Sequence, residues 1–224
     1  MPAEVLAFIG GTGPEGLGLA VRFAAAGHEI VIGSRSPERA RQAVEKIRAR
    51  VPQARAAGMV NQEAVRRGDI VFVAIPFACH REILGALAPD IGNKLVVDVV
   101  SPISFEGGKI AAIAVPEGSA AQQAQVLLPE AQVVAAFHHL DAGQLMRVGR
   151  PLEVDVLVCA DDQEAKGRVM ALAEKIEGVR ALDGGPLANS RHLEEFTVLL
   201  LNLNKTYKAR TSLKIAGIPN SPRG

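Results

Sequence analysis

Short apolar runs alternate with amphipathic stretches along this chain, and the alternation predicts a repeating strand–helix pattern. The first run starts at Val5 and ends at a cluster of glycines; a helical pattern over Leu17–Ala26 follows, closed by Gly27 as a C-cap residue. His28–Ile32 is a second strand, and Pro37 opens a helix over Glu38–Arg50. Asp69–Ile75 is continuously apolar after its first residue, as a parallel strand covered on both faces should be; Pro76 stops it, and a helix begins near Phe77. Leu95–Val100, Gln132–Phe137 and Val154–Cys159 continue the series, with a Gly-rich loop around Gly107-Gly108. Asp161-Asp162-Gln163-Glu164 reads as a capping-box-like start for a helix over Ala165–Ile176. The series predicts an α/β fold with a doubly wound, mostly parallel sheet of the Rossmann type.

The last forty residues differ. Asp183–Ser190 is turn-rich, and Ser190 is placed to cap a long helix from Arg191 to about Lys208. Leu193, Phe196, Leu200, Leu203 and Tyr207 recur at spacings of three and four, while Val198, Leu199 and Leu201 make other faces apolar. Such a helix is expected to be buried on several sides, mostly as plain core, between the sheet and either a partner subunit or a flat ligand.

The glycines after the first strand carry the chemistry. In Gly11-Thr12-Gly13-Pro14-Glu15-Gly16, Gly11 is expected to make the tight turn and Gly13 to let the backbone approach a pyrophosphate. Gly16 is expected to let the helix pack on its strand, with the phosphates at the helix N-terminus. The triplet alone is a weak signal; its place between a strand and a helix, inside a βαβ unit, makes it a dinucleotide fingerprint.

An NAD-preferring site ends its second strand in Asp or Glu. Here Gly33-Ser34-Arg35 stands instead, and the Ser34 hydroxyl and Arg35 guanidinium suit a 2′-phosphate, so NADP is favoured. Arg39, in the first turn after Pro37, can face the same phosphate, whereas Arg41, Arg48 and Arg50 read as ordinary surface arginines. Pro76, Phe77 and the loop after them are expected to border the cofactor, the plainer alternative being that Pro76 only ends a strand.

The 224 residues, 48% hydrophobic, suffice for an ample core. A net charge of +1, with acidic and basic residues interleaved, argues against nucleic-acid and anionic-membrane partners, as does an aromatic content of 4% against base stacking. Met1-Pro2-Ala3-Glu4 lacks a basic leader, and no apolar stretch approaches a membrane span. Cys79 and Cys159, far apart and without CxxC partners, are expected to be free thiols in a reducing cytoplasm.

Other chemistries fail on spacing. A P-loop around Lys109 would need Gly at 103 and Ser or Thr at 110, where Ile103 and Ile110 stand. The tandem His138-His139 ends a strand, so the two rings point apart and do not clamp one metal; one of them, His138 in particular, is expected at the edge of the site. Neither a GxSxG elbow nor a catalytic cysteine signature is present.

Taken together, Gly10-Gly11-Thr12-Gly13, Gly33-Ser34-Arg35, Ile75-Pro76, Ala136–Leu140 and Gly185–Arg191 resemble the NADP oxidoreductases that use the 8-hydroxy-5-deazaflavin coenzyme F420. Tyr207-Lys208 and Gly217-Ile218-Pro219 are similar to bacterial members. The resemblance implies hydride transfer between NADP(H) and F420 as co-substrate, with stacked rings that the protein has mainly to orient, so no catalytic dyad is assigned. It implies that Thr12, Gly13, Pro14 and Glu15 cradle the pyrophosphate, that Ser34, Arg35 and Arg39 hold the 2′-phosphate, and that Phe77, Ile103 and Ala142 line the nicotinamide side. The deazaflavin is expected between the Asn189–Arg191 turn and the stretch around Leu213. An NADP-binding domain, 1–185, is expected with a helical C-terminal subdomain, 186–224, completing the pocket, and a homodimer is the default assembly.

Four positions depart from the family pattern: Phe77 stands where Trp is frequent, Pro14-Glu15 replace a polar-aliphatic pair, and Asp141 stands where Pro or Ser is common. Asp141 is expected to add negative charge beside the ring pocket, and so to alter F420 affinity or to mark a different acceptor. Thr211-Ser212 also loosens the match. Two other readings stay open: an NADPH-dependent reductase of a small imine, ketone or metal complex, and a non-enzymatic NADP-sensing module.

Overall fold

A computed structural model describes residues 4–218; Met1-Pro2-Ala3 and Pro219, which entered the reading above, lie outside the described residues. Six strands form the central sheet: β1 (Val5–Ile9), β2 (Glu29–Ser34), β3 (Ala56–Val60), β4 (Ile70–Val73), β5 (Leu95–Asp98) and, further along the chain, Gln132–Ala135. A hairpin of β6 (Ile103–Glu106) and β7 (Lys109–Ala112) intervenes, so the sixth sheet strand is β8, and a parallel pair, β9 (Val154–Val158) and β10 (Val179–Asp183), follows. The order β3-β2-β1-β4-β5-β8, all parallel, is that of the doubly wound dinucleotide fold. The order reverses between β1 and β4, which opens a crevice at their carboxyl ends.

The helices are α1 (Pro14–Ala25), α2 (Pro37–Arg48), α3 (Asn61–Arg67), α4 (His80–Ile91), α5 (Ala120–Leu127), α6 (Ala142–Leu145), α7 (Gln163–Ala173) and α8 (Ser190–Tyr207). The apolar runs are continuous because each strand feeds two cores. Ile70 and Phe72 join Phe8, Phe23 and Ile47 on the α1–α2 side, whereas Val71 and Val73 pack with Val65, Leu84 and Leu87 on the α3–α4 side.

Several elements begin or end away from their expected places, each for a local reason. α1 starts at Pro14 rather than Leu17, since proline at the first helical position costs no hydrogen bond. β3, unforeseen, is Ala-Ala-Gly-Met-Val because α2 lies directly on it: a Cβ on Gly58 would come within 2.6 Å of the Ala40 backbone. The Gly-rich loop is the tip of the β6–β7 hairpin, with Gly107 and Gly108 both at positive φ. Among the described residues β9 and β10 form a separate sheet, joined to the main one by an antiparallel bridge from Ala135 to Cys159, just past β9, and so do not extend its parallel order.

β5 stops at Asp98, whose carboxylate accepts the Val100 N–H at 3.0 Å, and β8 stops before Phe137, which holds a left-handed φ of 70° while fully buried. That conformation is uncommon for an aromatic residue. It is held by ring contacts with Phe23 at 5.9 Å and Phe72 at 6.0 Å, and it turns His138 and His139 out of the sheet.

α8 departs from expectation in two ways. Ser190 is its first residue rather than its cap, and its hydroxyl donates to Ser119 at 2.7 Å. Nor is the helix buried all round: Leu193 and Leu200 are, but Leu199, Leu203 and Tyr207 stay exposed at 56%, 41% and 71%.

Candidate active site

The turn from β1 into α1 sits at the point where the strand order reverses. The left-handed residue is Gly10, at φ 79°, not Gly11; a Cβ on Gly10 would lie 2.4 Å from the Ala74 carbonyl at the end of β4. Gly11 is required by packing instead, since its Cβ would meet Phe8 at 2.8 Å, and Gly16 for the same reason against Ala74 at 2.9 Å. Gly13 differs: its Cβ would touch only the Gly10 carbonyl, at 3.4 Å, so the space in front of it is open. As the N-cap of α1 it has no side chain with which to satisfy the first-turn N–H groups, which leaves them to an anion.

A first cavity, of about 310 Å³, lies past the end of β2 and is lined by Ser34, Arg35, Asn61 and, from α4, Ile83 and Leu87. Ser34 is buried, with its hydroxyl accepting the Ser36 N–H at 3.2 Å, and the exposed Arg35 and Arg39 guanidinia form no ion pair among the described residues. Ser36 caps α2 by accepting the Arg39 N–H, which starts that helix with its donor end toward the same mouth. Asn61 adds a buried Oδ1 without a partner. The wall thus offers, among the described residues, one cation without an ion pair, Arg35, a hydroxyl and two side-chain amides, with Glu82 as its one carboxylate, and the Arg35–Ser34 side fits an adenosine 2′-phosphate.

A second cavity, also of about 310 Å³, opens at the carboxyl ends of β5 and β8. Its walls are Glu15 from α1, Val99 and Ser101 after β5, His138 to Ala142 after β8, Thr197, Leu200, Leu201 and Asn204 from α8, and Thr211. One apolar helix face thus confronts a strip of polar groups. The Thr197 hydroxyl donates to the His138 carbonyl at 3.0 Å and accepts from Ser101 at 3.2 Å, tying α8 to both strand ends. The Thr211 N–H donates to Asn204 Oδ1 and its hydroxyl to the Leu200 carbonyl, which folds the segment after α8 back onto the cavity.

Orphaned polar atoms mark this cavity as a place for a ligand. Both nitrogens of His138 are buried without partners, and burial pushes its imidazole down to about 4, so it is neutral at neutral pH. His139 turns its Nε2 to the Asp155 carbonyl at 2.6 Å and is likewise held below its ordinary value by burial. Glu15 Oε1 is sealed from solvent without a partner; burial, and then the nearby Asp141 carboxylate, hold this carboxyl well above the usual range.

Behind the cavity lies a chain of buried charge. His80 places Nε2 2.8 Å from Asp98 and Nδ1 2.9 Å from Gln123 Oε1, while the Gln123 amide donates to Glu117 at 3.1 Å. Gln123 is therefore oriented with its oxygen toward His80, and both ring nitrogens face acceptors, an arrangement that favours the imidazolium. Burial works against that charge, but the Asp98 hydrogen bond and charge, with Gln123, carry the His80 value above its ordinary one. Glu194 of α8 reaches into the same region and accepts the Ala120 and Ala121 N–H groups at 2.8 and 3.1 Å, capping α5 from another helix.

Of the residues singled out in the sequence, Gly11, Thr12, Gly13, Pro14 and Gly16 form the turn at the mouth of the crevice, Ser34 and Arg35 the first cavity, and Glu15, His138 and Ala142 the second. Arg39 stands one turn beyond Arg35. Pro76, Phe77 and Ile103 lie outside the walls of both cavities, with the Phe77 ring stacked on His80 at 6.0 Å. Asn189 spends its amide on the Gly184 carbonyl, and the Leu213 carbonyl accepts the Asp155 N–H, so the helix middle between them forms the wall instead. Thr197, Leu200 and Asn204 escaped notice as wall residues, although their spacing of three and four, with polar groups at both ends of an apolar stretch, is the signal. No group of three or more His, Cys, Asp or Glu among the described residues is placed to hold a metal.

Residues 5–102 match the family model described as NADP oxidoreductase coenzyme F420-dependent. The F420-dependent NADP reductase of Methanothermobacter thermautotrophicus is 38% identical over 221 residues, covering 96% of this chain and 95% of that one. The enzyme of the same name from Methanocaldococcus jannaschii is 36% identical, covering 95% and 98%. Among solved structures, an Arthrobacter sp. FB24 protein provisionally assigned as an F420-dependent NADP reductase superposes with a TM-score of 0.81 at 24% identity, over 96% of this chain and 99% of that one, which is agreement in fold.

Proposed function

The chain belongs to the coenzyme F420-dependent NADP oxidoreductase family, and from that membership we propose how its two cavities divide the work of passing a hydride between NADP(H) and F420. The observation that carries this reading is the pair of cavities near one uncapped glycine turn: one has Arg35, unpaired among the described residues, beside Ser34, the other an apolar helix face opposite orphaned polar atoms. When bound, the nicotinamide and the deazaflavin supply the hydride donor and acceptor.

What the protein contributes is binding, orientation and exclusion of water. Ser34, Arg35 and Arg39 hold the 2′-phosphate, the Gly13–Gly16 turn receives the pyrophosphate, and Asn61 faces the adenosine. Leu200 and Leu201 of α8 and Val99 after β5 bound the ring space, with Thr197 fixing the separation of those walls. Holding the two rings together against the apolar face of α8 would supply proximity, which is the larger part of what this reaction asks of a protein. α8, with the described segment after it, serves in this reading as the C-terminal part that completes the ring pocket.

The chain is proposed to act as a cytoplasmic homodimer without a nucleic-acid partner. Its two free thiols, its net charge of +1 and the exposed stripe Leu199, Leu203, Tyr207, four residues apart on one face of α8, support that reading. Among the described residues no helix is long and apolar enough to cross a membrane.

The test is anaerobic absorbance at the deazaflavin band with NADPH and oxidised F420, and NADH as control. Bleaching with NADPH alone supports the reading; NADPH binding without bleaching refutes the deazaflavin as acceptor.

A further inference from the structure

The second cavity holds two carboxyl groups, Glu15 and Asp141, and no Lys or Arg in its wall. The Asp141 charge is met: its Oδ1 accepts the Gln144 N–H at 2.7 Å and lies 2.8 Å from the Arg210 guanidinium. Glu15 has no such counter-group, since its Oε1 is sealed from water without a hydrogen bond. The titratable groups facing it are Asp141 at the start of α6 and the neutral His138 and His139 after β8; Asn204 and Thr211, from α8 and the segment after it, are uncharged, and Arg210 is engaged by Asp141.

An ionised Glu15, half-buried with one oxygen sealed from water, would stand beside a second carboxylate. The N-terminal dipole of α1 favours an anion there only weakly, against the cost of burying a charge that has no counter-group. Burial and the Asp141 charge both favour the acid form, which unlike the carboxylate is a hydrogen-bond donor. The hydroxyl donors in the wall are committed, Ser101 to Thr197, Thr197 to the His138 carbonyl and Thr211 to the Leu200 carbonyl, whereas the neutral His138 ring keeps one N–H without a partner.

We propose that the Glu15 carboxylic acid donates a hydrogen bond to a carbonyl oxygen on the edge of the ring bound in this cavity, which makes binding of that ring proton-linked and makes Glu15 a specificity-determining residue. The proposal rests on the reading that this cavity takes the two rings. Both carry such an oxygen, in the carboxamide of the nicotinamide and in the pyrimidinedione of the deazaflavin. An ionised Glu15 would offer either oxygen an acceptor and a negative charge, so affinity falls as the carboxyl titrates.

The experiment binds NADP⁺ and oxidised F420 separately to wild type, Glu15→Gln and Glu15→Leu across neutral to alkaline pH. It also follows the side-chain carboxyl resonance of ¹³C-glutamate in the ligand-free protein, assigned by its loss in Glu15→Gln. The expected result is a resonance that titrates above the ordinary glutamate range. With it should come a wild-type dissociation constant that rises for one ligand by up to tenfold per pH unit above that titration. Glu15→Gln, a permanently neutral donor, should bind that ligand equally across the range, and Glu15→Leu weakly throughout. The ligand that responds identifies the carbonyl. A resonance titrating as an ordinary glutamate, or identical pH profiles for wild type and Glu15→Gln toward both ligands, overturns the proposal. Failure of F420 to bind any variant refutes the deazaflavin reading instead, and the ligand-free titration with the NADP⁺ arm still decides for Glu15.

Discussion

Asp141 and Arg210 meet 2.8 Å apart, and the same Asp141 oxygen caps α6 by accepting the Gln144 N–H. Read from sequence, Asp141 is a stray charge beside the ring pocket; in the structure its charge is matched and it fastens the segment after α8 to the loop after β8. Gln144 reinforces the tie by donating to the Arg210 carbonyl at 3.2 Å. Asp141→Ala is expected to cost about 1 kcal/mol through the lost cap. Asp141→Asn, which keeps the cap and loses an ion pair whose arginine is 52% exposed, should cost less. Asp141→Pro should weaken rather than improve use of F420, because it frees the segment that carries Thr211. Urea unfolding and separate KM values for F420 and NADPH check this; a lower KM for F420 in Asp141→Pro would restore the charge-repulsion reading.

The parts of this fold that were legible in the sequence are those set by local rules. The Gly11–Gly16 fingerprint, the Ser34-Arg35 end of β2 and the alternation of strand and helix each follow from spacing and residue type. What escaped was set by tertiary contact. β3 is built of small residues because α2 lies on it, β8 ends early because Phe137 is forced into a left-handed turn by its ring neighbours, and the cavity wall falls on the middle of α8 because Thr197 and Glu194 anchor that helix to distant elements. No single-sequence signal reports a cap supplied from another helix.

Arg35 has no ion-pair partner among the described residues and lines the first cavity. Arg35→Ala is expected to weaken NADPH binding by about 1.5–3 kcal/mol, the range for a hydrogen bond to a charged group, and to leave NADH almost unchanged. Fluorescence titration with both coenzymes decides, and equal losses would remove Arg35 from the 2′-phosphate site.

The Leu199–Leu203–Tyr207 stripe predicts that Leu203→Glu shifts the molecular mass in solution from dimer toward monomer. The folded monomer should keep its circular dichroism, since Leu203 is 41% exposed and bears little of the core. Analytical ultracentrifugation reads the mass; an unchanged dimer would move the interface elsewhere.

Arg22 of α1 is buried, and its guanidinium donates to the carbonyls of Leu145 and Gln144 at 2.8 Å, of Arg147 at 2.8 Å and of Arg150 at 2.9 Å. These are carbonyls of α6 and the turn after it, and the planar fork meets all four. Arg22→Lys keeps the charge but not the fork, leaving carbonyls short of donors at about 1–3 kcal/mol each. We expect a loss of about 3 kcal/mol in urea unfolding and faster hydrogen exchange over 141–150. A loss under about 1 kcal/mol would show that water replaces the fork.

Glu194 gives the pH dependence its sign. Burial, and then the Asp98 charge, raise its carboxyl to about 8, against the ordinary 4.5, although the Ala120 and Ala121 N–H groups pull the other way. A carboxyl that binds its proton more tightly when folded makes the folded state hold more protons between those two values, so stability falls as pH rises through that window. His80 acts in the same sense from a different start: its raised value means that its contribution is complete below about pH 6.5 and is lost as pH rises through the folded value. The two separate in variants. Glu194→Gln should flatten the decline from about pH 4.5 upward while leaving a residual slope above about pH 6.5. Asp98→Asn should remove the His80 slope, at a cost of about 3–5 kcal/mol for breaking a buried pair. Denaturant midpoints measured across pH for both variants make the comparison. If Glu194→Gln tracks wild type at every pH, Glu194 is ionised in the fold and its cap on α5 is an ion–dipole contact rather than a proton-linked one.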